Sequence, residues 1–161
     1  MSNLYSVNSD SADSYSFVTD AGDTYSYYFL EYLLPDSEGN EHVIYNFDFL
    51  CNYDFSTSKF SRRYDSKIRN TLVAALSGFF EKREYGIIVF CCFDMDGYGR
   101  HRSIVFKQWL SDVSDSILKI HRSIAYNGNI TYSTLLLVDT NPLKELIIEA
   151  FDWEIRNVIK P

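Results

Sequence analysis

The apolar run at residues 87–93, IIVFCCF, restricts the fold more than any other feature of the chain. Successive side chains of a strand point to opposite faces of a sheet, so a strand that is apolar throughout must be covered on both faces. The run is also shorter than a typical buried helix. With 161 residues, 46% of them apolar, the chain can provide this cover within one domain and without disulfides or metal ions.

Hairpin patterns surround this strand. Runs of aromatic and β-branched residues are separated by turn signals, the clearest of which is Asn127-Gly128-Asn129, and an Asn-Gly pair is typical of a tight hairpin turn. The first hairpin is expected to turn at residues 20–23. The predicted strands cover residues 15–34 as a hairpin, then 43–50, 87–93, 117–126 and 130–138.

Three other stretches repeat apolar residues every three or four positions, which is the pattern of one helix face. Asp65 or Ser66 is expected to cap the first helix, the second is expected to begin near Tyr98, and the third at Asn141-Pro142. The predicted order is therefore β-β-β-α-β-α-β-β-α.

Because hairpins outnumber crossovers, this order predicts an α+β fold with two layers: a mostly antiparallel sheet of about six strands with the helices packed largely on one face. Residues 1–14 are rich in Ser, Asp and Asn and are predicted to be a mobile tail, followed by a single domain over 15–161. The chain shows neither a signal-peptide pattern nor a long apolar stretch, which predicts a cytoplasmic protein with no membrane contact.

The cysteines and the charges narrow the classes of function. Cys91 and Cys92 would point to opposite faces of a buried strand, far in sequence from Cys51, so reduced thiols acting as apolar filler are predicted, with a cysteine nucleophile beside a histidine as the alternative. The net charge is −7, and residues 1–58 contain ten acids but no Lys or Arg. Extended nucleic-acid binding is disfavoured, although a local phosphate site in the later part stays open.

Residues 94–109, DMDGYGRHRSIVFKQW, contain the one group that suggests a site. A strand end followed by a helix start is a favoured position for an anion, and arginine forks suit phosphate or carboxylate. The candidates for anion or ligand binding are Asp94, Asp96, Gly97, Arg100, His101 and Arg102.

The same residues have a structural interpretation: the aspartates cap the helix, the glycines allow the turn, and the arginines pair with acids. Arg102, Phe106 and Trp109 share one helix stripe, with the two aromatic residues expected in the core and Arg102 at its rim. No calcium-loop pattern and no cluster of ligands at metal spacing accompanies Asp94 and Asp96, so neither a metal nor a cofactor is predicted.

With these motifs in place, the chain resembles the DUF6169 family, a group of unknown function found mainly in Bacteroidetes. The resemblance is carried by residues 15–22 (YSFVTDAG), by residues 68–71 (IRNT) and most sharply by residues 92–97 (CFDMDG) together with Arg100, Arg102, Phe106 and Trp109. The loop between the two aspartates is one residue shorter here than in the family pattern Asp-x-x-Asp-Gly. The resemblance implies no activity, cofactor or catalytic residue.

Three hypotheses on function follow. The first is a non-catalytic module that binds a protein partner or a small anionic ligand, because no set of nucleophile, base and orienting group can be assembled. The second is a phosphoryl-transfer or nucleotide-processing enzyme that uses Asp94, Asp96, Arg100 and His101 around a bound anion. The third is an inhibitor whose acidic hairpin mimics nucleic acid, which requires the ten acids to lie on one exposed face.

Overall fold

The computed structural model describes residues 3–52, 65–94 and 97–157, which form three helices and one seven-stranded sheet. No helix in these ranges is long and apolar enough to span a membrane. The elements are β1 (Asn8–Ser9), β2 (Ser14–Val18), β3 (Thr24–Pro35), β4 (Glu41–Asn52), α1 (Ser66–Lys82), β5 (Ile87–Phe93), α2 (Gly99–Leu110), β6 (Ile117–Tyr126), β7 (Asn129–Val138) and α3 (Lys144–Asn157).

The sheet has the spatial order β1-β2-β3-β4-β5-β7-β6, and every neighbouring pair is antiparallel except β4 and β5. β4 and β5 are parallel because α1 lies between them in the chain. The α+β class, the mostly antiparallel sheet and the order of helices and strands are confirmed. The strand beyond the expected six is β1, which pairs with β2.

The helices cover the two faces of the sheet unequally. Helices α1 and α2 pack on one face, where Phe47 and Phe90 meet Leu76 and Phe106 in a single buried cluster. Helix α3 packs on the other face, where its Phe151 contacts a second cluster that includes Val89 and Leu135. Two of three helices therefore share a face, as predicted, and α3 adds a partial third layer. Strand β5 is covered on both faces, as its apolar run requires.

Local signals place the helix starts and the last hairpin. The Asp65 carboxylate accepts a hydrogen bond from the Lys67 backbone N–H at 2.8 Å and caps α1. Asn127 and Gly128 both have positive φ, at 49° and 81°, which is the backbone of a two-residue hairpin turn between β6 and β7. Both features follow the sequence prediction.

The N-terminal segment contacts the sheet and α1. Tyr5 is buried, its ring stacks on Phe17 at 5.5 Å between centroids, and its hydroxyl donates to the Asp65 carboxylate. Its backbone N–H donates to the Thr71 hydroxyl at 3.0 Å. The mobility expected of residues 1–14 stays a prediction, and hydrogen exchange of the Tyr5 amide measures it directly.

Candidate functional site

Among the described residues, an opening between β4 and β5 forms a cleft. The two strands pair only at Tyr45 with Ile88 and at Asn46 with Val89, yet both continue, β4 to Asn52 and β5 to Phe93. Beyond the paired residues the strands diverge and border a cleft of about 1080 Å³. The cleft therefore lies at the carboxyl ends of two adjacent parallel strands, the end at which ligands bind in parallel α/β sheets.

Where β4 and β5 no longer pair, side chains form hydrogen bonds with two backbone groups of these strands. The Phe49 N–H donates to the Asp48 carboxylate at 2.8 Å, and the Phe93 carbonyl accepts from Nη2 of Arg102 at 2.5 Å. These bonds give the two backbone groups partners within the protein where the strands no longer pair.

The lining of the cleft is mostly apolar, with several aromatic rings and a few charged groups, as is usual for small-molecule sites. Strands β3, β4 and β5 and helices α2 and α3 all contribute to it. The lining residues are Leu30, Glu31, Tyr32, Asn46, Phe47, Asp48, Phe49, Leu50, Cys51, Val89, Phe90, Cys91, Cys92, Phe93, His101, Arg102, Val105, Phe106, Trp109 and Glu154.

Stacked aromatic rings form the wall on the α2 side. The rings of Phe90 and Phe106 are stacked at 3.8 Å between centroids, and Phe49 stacks on Phe90 at 6.1 Å and on Trp109 at 6.0 Å. Phe106 is buried and Trp109 is half-buried. The predicted stripe is thus confirmed, with its aromatic residues in the core and exposed Arg102 at the rim.

The turn into α2 is built around two glycines and one aspartate. Gly97 has φ of +77°, which favours glycine, and its N–H donates to the Asp94 carbonyl at 3.3 Å. The Asp94 carboxylate accepts from the Gly99 N–H at 2.8 Å. A Cβ on Gly99 would lie 2.7 Å from the Phe93 carbonyl oxygen, so α2 starts in direct contact with the end of β5.

The structure describes five of the six residues that the sequence suggested as a site, and it separates them. His101 and Arg102 line the cleft, whereas Asp94 binds the helix start and Gly97 forms the turn. Arg100 is exposed and does not line the cleft. The prediction for Asp96 lies outside the described residues.

The opposite side of the cleft holds two carboxyl groups that sequence reasoning did not connect with a site. The Tyr32 hydroxyl donates to the Glu154 carboxylate at 3.2 Å, and the Tyr28 hydroxyl donates to the Asp48 carboxylate at 3.1 Å. Burial raises the pKa of Glu154, which the Tyr32 hydrogen bond only partly offsets. Burial, together with the Glu154 charge, also raises the pKa of Tyr32.

The two thiols on β5 are protonated at neutral pH. Burial raises the pKa of Cys91 to about 11, and its Sγ lies 3.2 Å from the Ser133 hydroxyl oxygen. Burial likewise raises the pKa of Cys92 to about 12, although nearby Arg102 acts in the other direction. Such thiols are poor nucleophiles, which agrees with the prediction of apolar filler.

The acidic residues that the structure describes neither gather into a metal site nor share one surface. Within residues 3–52, 65–94 and 97–157, no three His, Cys, Asp or Glu side chains are grouped so as to hold a metal ion. Asp36 is buried, and Glu31 and Asp48 belong to opposite faces of the sheet by strand alternation. The mimicry hypothesis thereby loses the single acidic face that it requires.

Comparison with known proteins identifies a family. The model of the family of unknown function DUF6169 matches residues 64–153, and the chain belongs to this family. The match extends from the start of α1 into α3 and includes both His101 and Arg102. No curated protein and no solved structure matches the chain.

Proposed function

We propose that the protein is a non-catalytic binding module that takes a small amphipathic anion into the cleft between β4, β5 and α2. The apolar or aromatic body of the ligand lies among the side chains of the cleft, and its acidic group lies towards Arg102 and His101. The observation on which this rests is the cleft itself, an apolar space of about 1080 Å³ with basic groups at one rim.

The size and the lining of the cleft support an apolar body. Ligand sites in proteins commonly have volumes of about 300–1000 Å³ and few polar groups, so this cleft accommodates a molecule of two or three fused or linked rings. Phe49, Phe93 and Trp109 give it aromatic surface, against which rings bind in offset or edge-to-face geometry.

The position of the basic groups supports an acidic end. His101 and Arg102 lie in the first turn of α2, where the backbone N–H groups give the helix a partial positive charge. A guanidinium group also suits carboxylate, sulfonate or phosphate geometry. Arg100 in the same turn does not line the cleft, so the two arginines are expected to differ in their effect on binding.

The state of the reactive side chains supports binding rather than catalysis. The thiols of Cys91 and Cys92 are protonated at neutral pH, and the Asp94 carboxylate is bonded to the start of α2. A nucleophile with a hydrogen-bonded base is the usual signature of covalent catalysis. The Tyr32 hydroxyl and the Glu154 carboxylate form one hydrogen-bonded pair in the lining, but burial and the Glu154 charge raise the pKa of Tyr32, which disfavours the phenolate that would attack a substrate.

Titration with 1-anilinonaphthalene-8-sulfonate, an aromatic anion whose fluorescence rises in apolar sites, tests this proposal. We expect saturable binding of one probe per chain and its displacement by 1-naphthoate. Arg102→Gln should weaken the binding of both compounds about tenfold, which corresponds to a loss of roughly 1.4 kcal/mol in binding free energy. Arg100→Gln should change the affinity for either compound less than twofold.

Thermal unfolding of each variant is recorded alongside, because this dye also binds partly unfolded chains. Absence of saturable binding to the cooperatively folded protein would overturn the proposal. So would equal losses from Arg100→Gln and Arg102→Gln, since only Arg102 lines the cleft.

A further inference from the structure

We infer that the ligand of this cleft is a zwitterion, whose acidic group lies towards Arg102 and His101 and whose amino group is held by Glu154 and Asp48. The inference rests on the proposed function and adds the second polar group of the ligand. It assigns a role to two carboxyl groups that neither the family nor the sequence connects with a site.

Glu154 is a half-buried carboxylate with spare acceptor capacity. An ionised carboxylate offers about four lone-pair positions, and among the described residues its one hydrogen-bond donor is the Tyr32 hydroxyl, at 3.2 Å. None of the ion pairs between described residues includes it. A carboxylate that is partly removed from water without a cation is unfavourable, and a bound amino group would relieve this.

Asp152, on the same helix as Glu154, is a carboxylate that is paired with a cation of the protein. It lies two residues before Glu154 and forms an ion pair with Arg122, whose Nε donates at 2.7 Å. Asp152 does not line the cleft, and Glu154 does. The unpaired acid is therefore the one that faces the space where a ligand would lie.

Asp48 provides a second acceptor at the same place. It accepts hydrogen bonds from the Tyr28 hydroxyl and the Phe49 N–H, and no ion pair between described residues includes it. The charges of Asp48 and Glu154 both act on the Cys91 thiol. Two acids from different elements, β4 and α3, thus line the same cleft as Cys91.

Charge separation within one cleft favours a ligand with matching ends. Basic groups from α2 and acidic groups from β4 and α3 border a single space. Glu31 of β3 also lines it, on the sheet face opposite Asp48, and its carboxylate accepts from the Tyr45 hydroxyl at 3.2 Å, while the remaining lining is mainly apolar. A ligand that carries only an acid would leave Asp48 and Glu154 uncompensated, whereas a zwitterion with its acid and its amine at opposite ends of an apolar body complements both sides. The class is an apolar or aromatic body with an acid and a primary amine at separate positions.

Three naphthalene compounds test the inference by displacement of 1-anilinonaphthalene-8-sulfonate at pH 7: 1-naphthoate as the anion, 1-naphthylmethylamine as the cation and 5-(aminomethyl)-1-naphthoate as the zwitterion. We expect the zwitterion to bind about tenfold more tightly than 1-naphthoate. Glu154→Gln, which keeps an acceptor for Tyr32, and Asp48→Asn should each reduce that advantage about threefold or more and leave 1-naphthoate binding within twofold. Asp152→Asn is the matched control and should preserve the advantage.

The outcomes separate the inference from the proposed function. If 1-naphthoate binds and the zwitterion binds no more tightly, the inference is wrong while the anion site stands. Equal loss of the zwitterion's advantage in Glu154→Gln and Asp152→Asn would also overturn it. If neither compound binds the folded wild-type protein, the proposed function fails together with the inference.

Discussion

At its amino end β4 lies in a closed part of the sheet, paired with β3 and β5 and covered by α3, whereas at its carboxyl end it separates from β5 and borders the cleft. Ile44 in the closed part is fully buried, while Leu50 in the open part is 44% exposed. One strand therefore changes from core to binding surface within six residues, because the cover provided by its neighbours ends.

Carboxyl groups in the closed and open parts also differ in their hydrogen-bond partners. Asp36, in the hairpin turn before β4, accepts hydrogen bonds from Glu38, Asn40 and His42, the last at 2.7 Å. Glu154, beside the open end, accepts a hydrogen bond from the Tyr32 hydroxyl alone among the described residues. A carboxylate in the closed part is thus satisfied by the protein, and the one at the cleft retains capacity for a ligand.

The largest expected effect is on the free energy of unfolding, when the side chain by which α3 packs on the closed part of the sheet is removed. Phe151 is fully buried, so Phe151→Ala should destabilise the fold by about 3–5 kcal/mol, measured by urea unfolding. Trp153→Ala, on the exposed side of α3 at 58% exposure, should change stability by less than about 0.5 kcal/mol. Similar losses from both would show that α3 does not hold the closed part.

The sequence could predict the elements because their signals are local. The spacing of Arg102, Phe106 and Trp109 defines one helix face whatever the surroundings, and Asn127-Gly128 specifies its turn through its own backbone preferences. The two-to-one division of the helices between the two faces of the sheet is harder to predict from the sequence. It depends on which side of the sheet each connection between strands crosses.

The cleft could be predicted only in part, since its residues meet through tertiary contacts. His101 and Arg102 follow a strand end, so the sequence names them as candidates, and both line the cleft. Tyr32 and Glu154 are 122 residues apart, and no local pattern connects them. Whether Asp94 would bind a ligand or the helix start depended on the position of the Gly99 N–H, a matter of a few ångströms that spacing does not encode. Nothing in β4 itself signals that its pairing with β5 ends at Asn46.

The Asp36 contacts predict a pH-dependent loss of stability at the closed end. Burial raises the pKa of Asp36, but the hydrogen bonds from Asn40, His42 and Glu38 outweigh it and hold the pKa well below its usual range. A lowered acid pKa stabilises the fold above the unfolded value of about 4, and this contribution is lost as pH falls towards the folded value.

Asp36→Asn should therefore lower Tm by several degrees at pH 7, with a difference from wild type that shrinks as the pH falls below about 4. Scanning calorimetry from pH 3 to pH 7 measures this dependence. Glu38→Gln in the same turn keeps its backbone contact to Asp36 and serves as the control. A Tm difference independent of pH would mean that the carboxylate charge is not involved.

A methyl group at the start of α2 should disturb the open end. Gly99→Ala places Cβ within 2.9 Å of the Asp94 Cβ and closer still to backbone atoms, so we expect a loss of about 1–3 kcal/mol and weaker 1-naphthoate binding. Gly78→Ala in α1 meets no atom within 4 Å and should stabilise the fold by about 0.5–1 kcal/mol. Tight packing at the β5–α2 junction is disproved if both substitutions stabilise the protein.

The smallest expected effect concerns the unpaired carboxyl beside the cleft, and its sign is opposite to that of Asp36. Burial raises the pKa of Glu154. A raised acid pKa contributes stability below the unfolded value of about 4.3, and this contribution is lost as pH rises through the folded value. Glu154→Gln should therefore stabilise the ligand-free protein slightly at pH 7, by a few tenths of a kcal/mol, and the difference should vanish near pH 4.

Paired unfolding curves of wild type and Glu154→Gln at pH 4 and pH 7 measure this effect. Asp152→Asn again provides the control: loss of its ion pair with Arg122 should leave stability unchanged or lower at pH 7. If Glu154→Gln instead destabilised the protein at pH 7, the Glu154 carboxylate would have to be compensated by groups of the protein itself. The two ends of β4 would then not differ in how their carboxylates are satisfied, and the ligand would not need a cationic group.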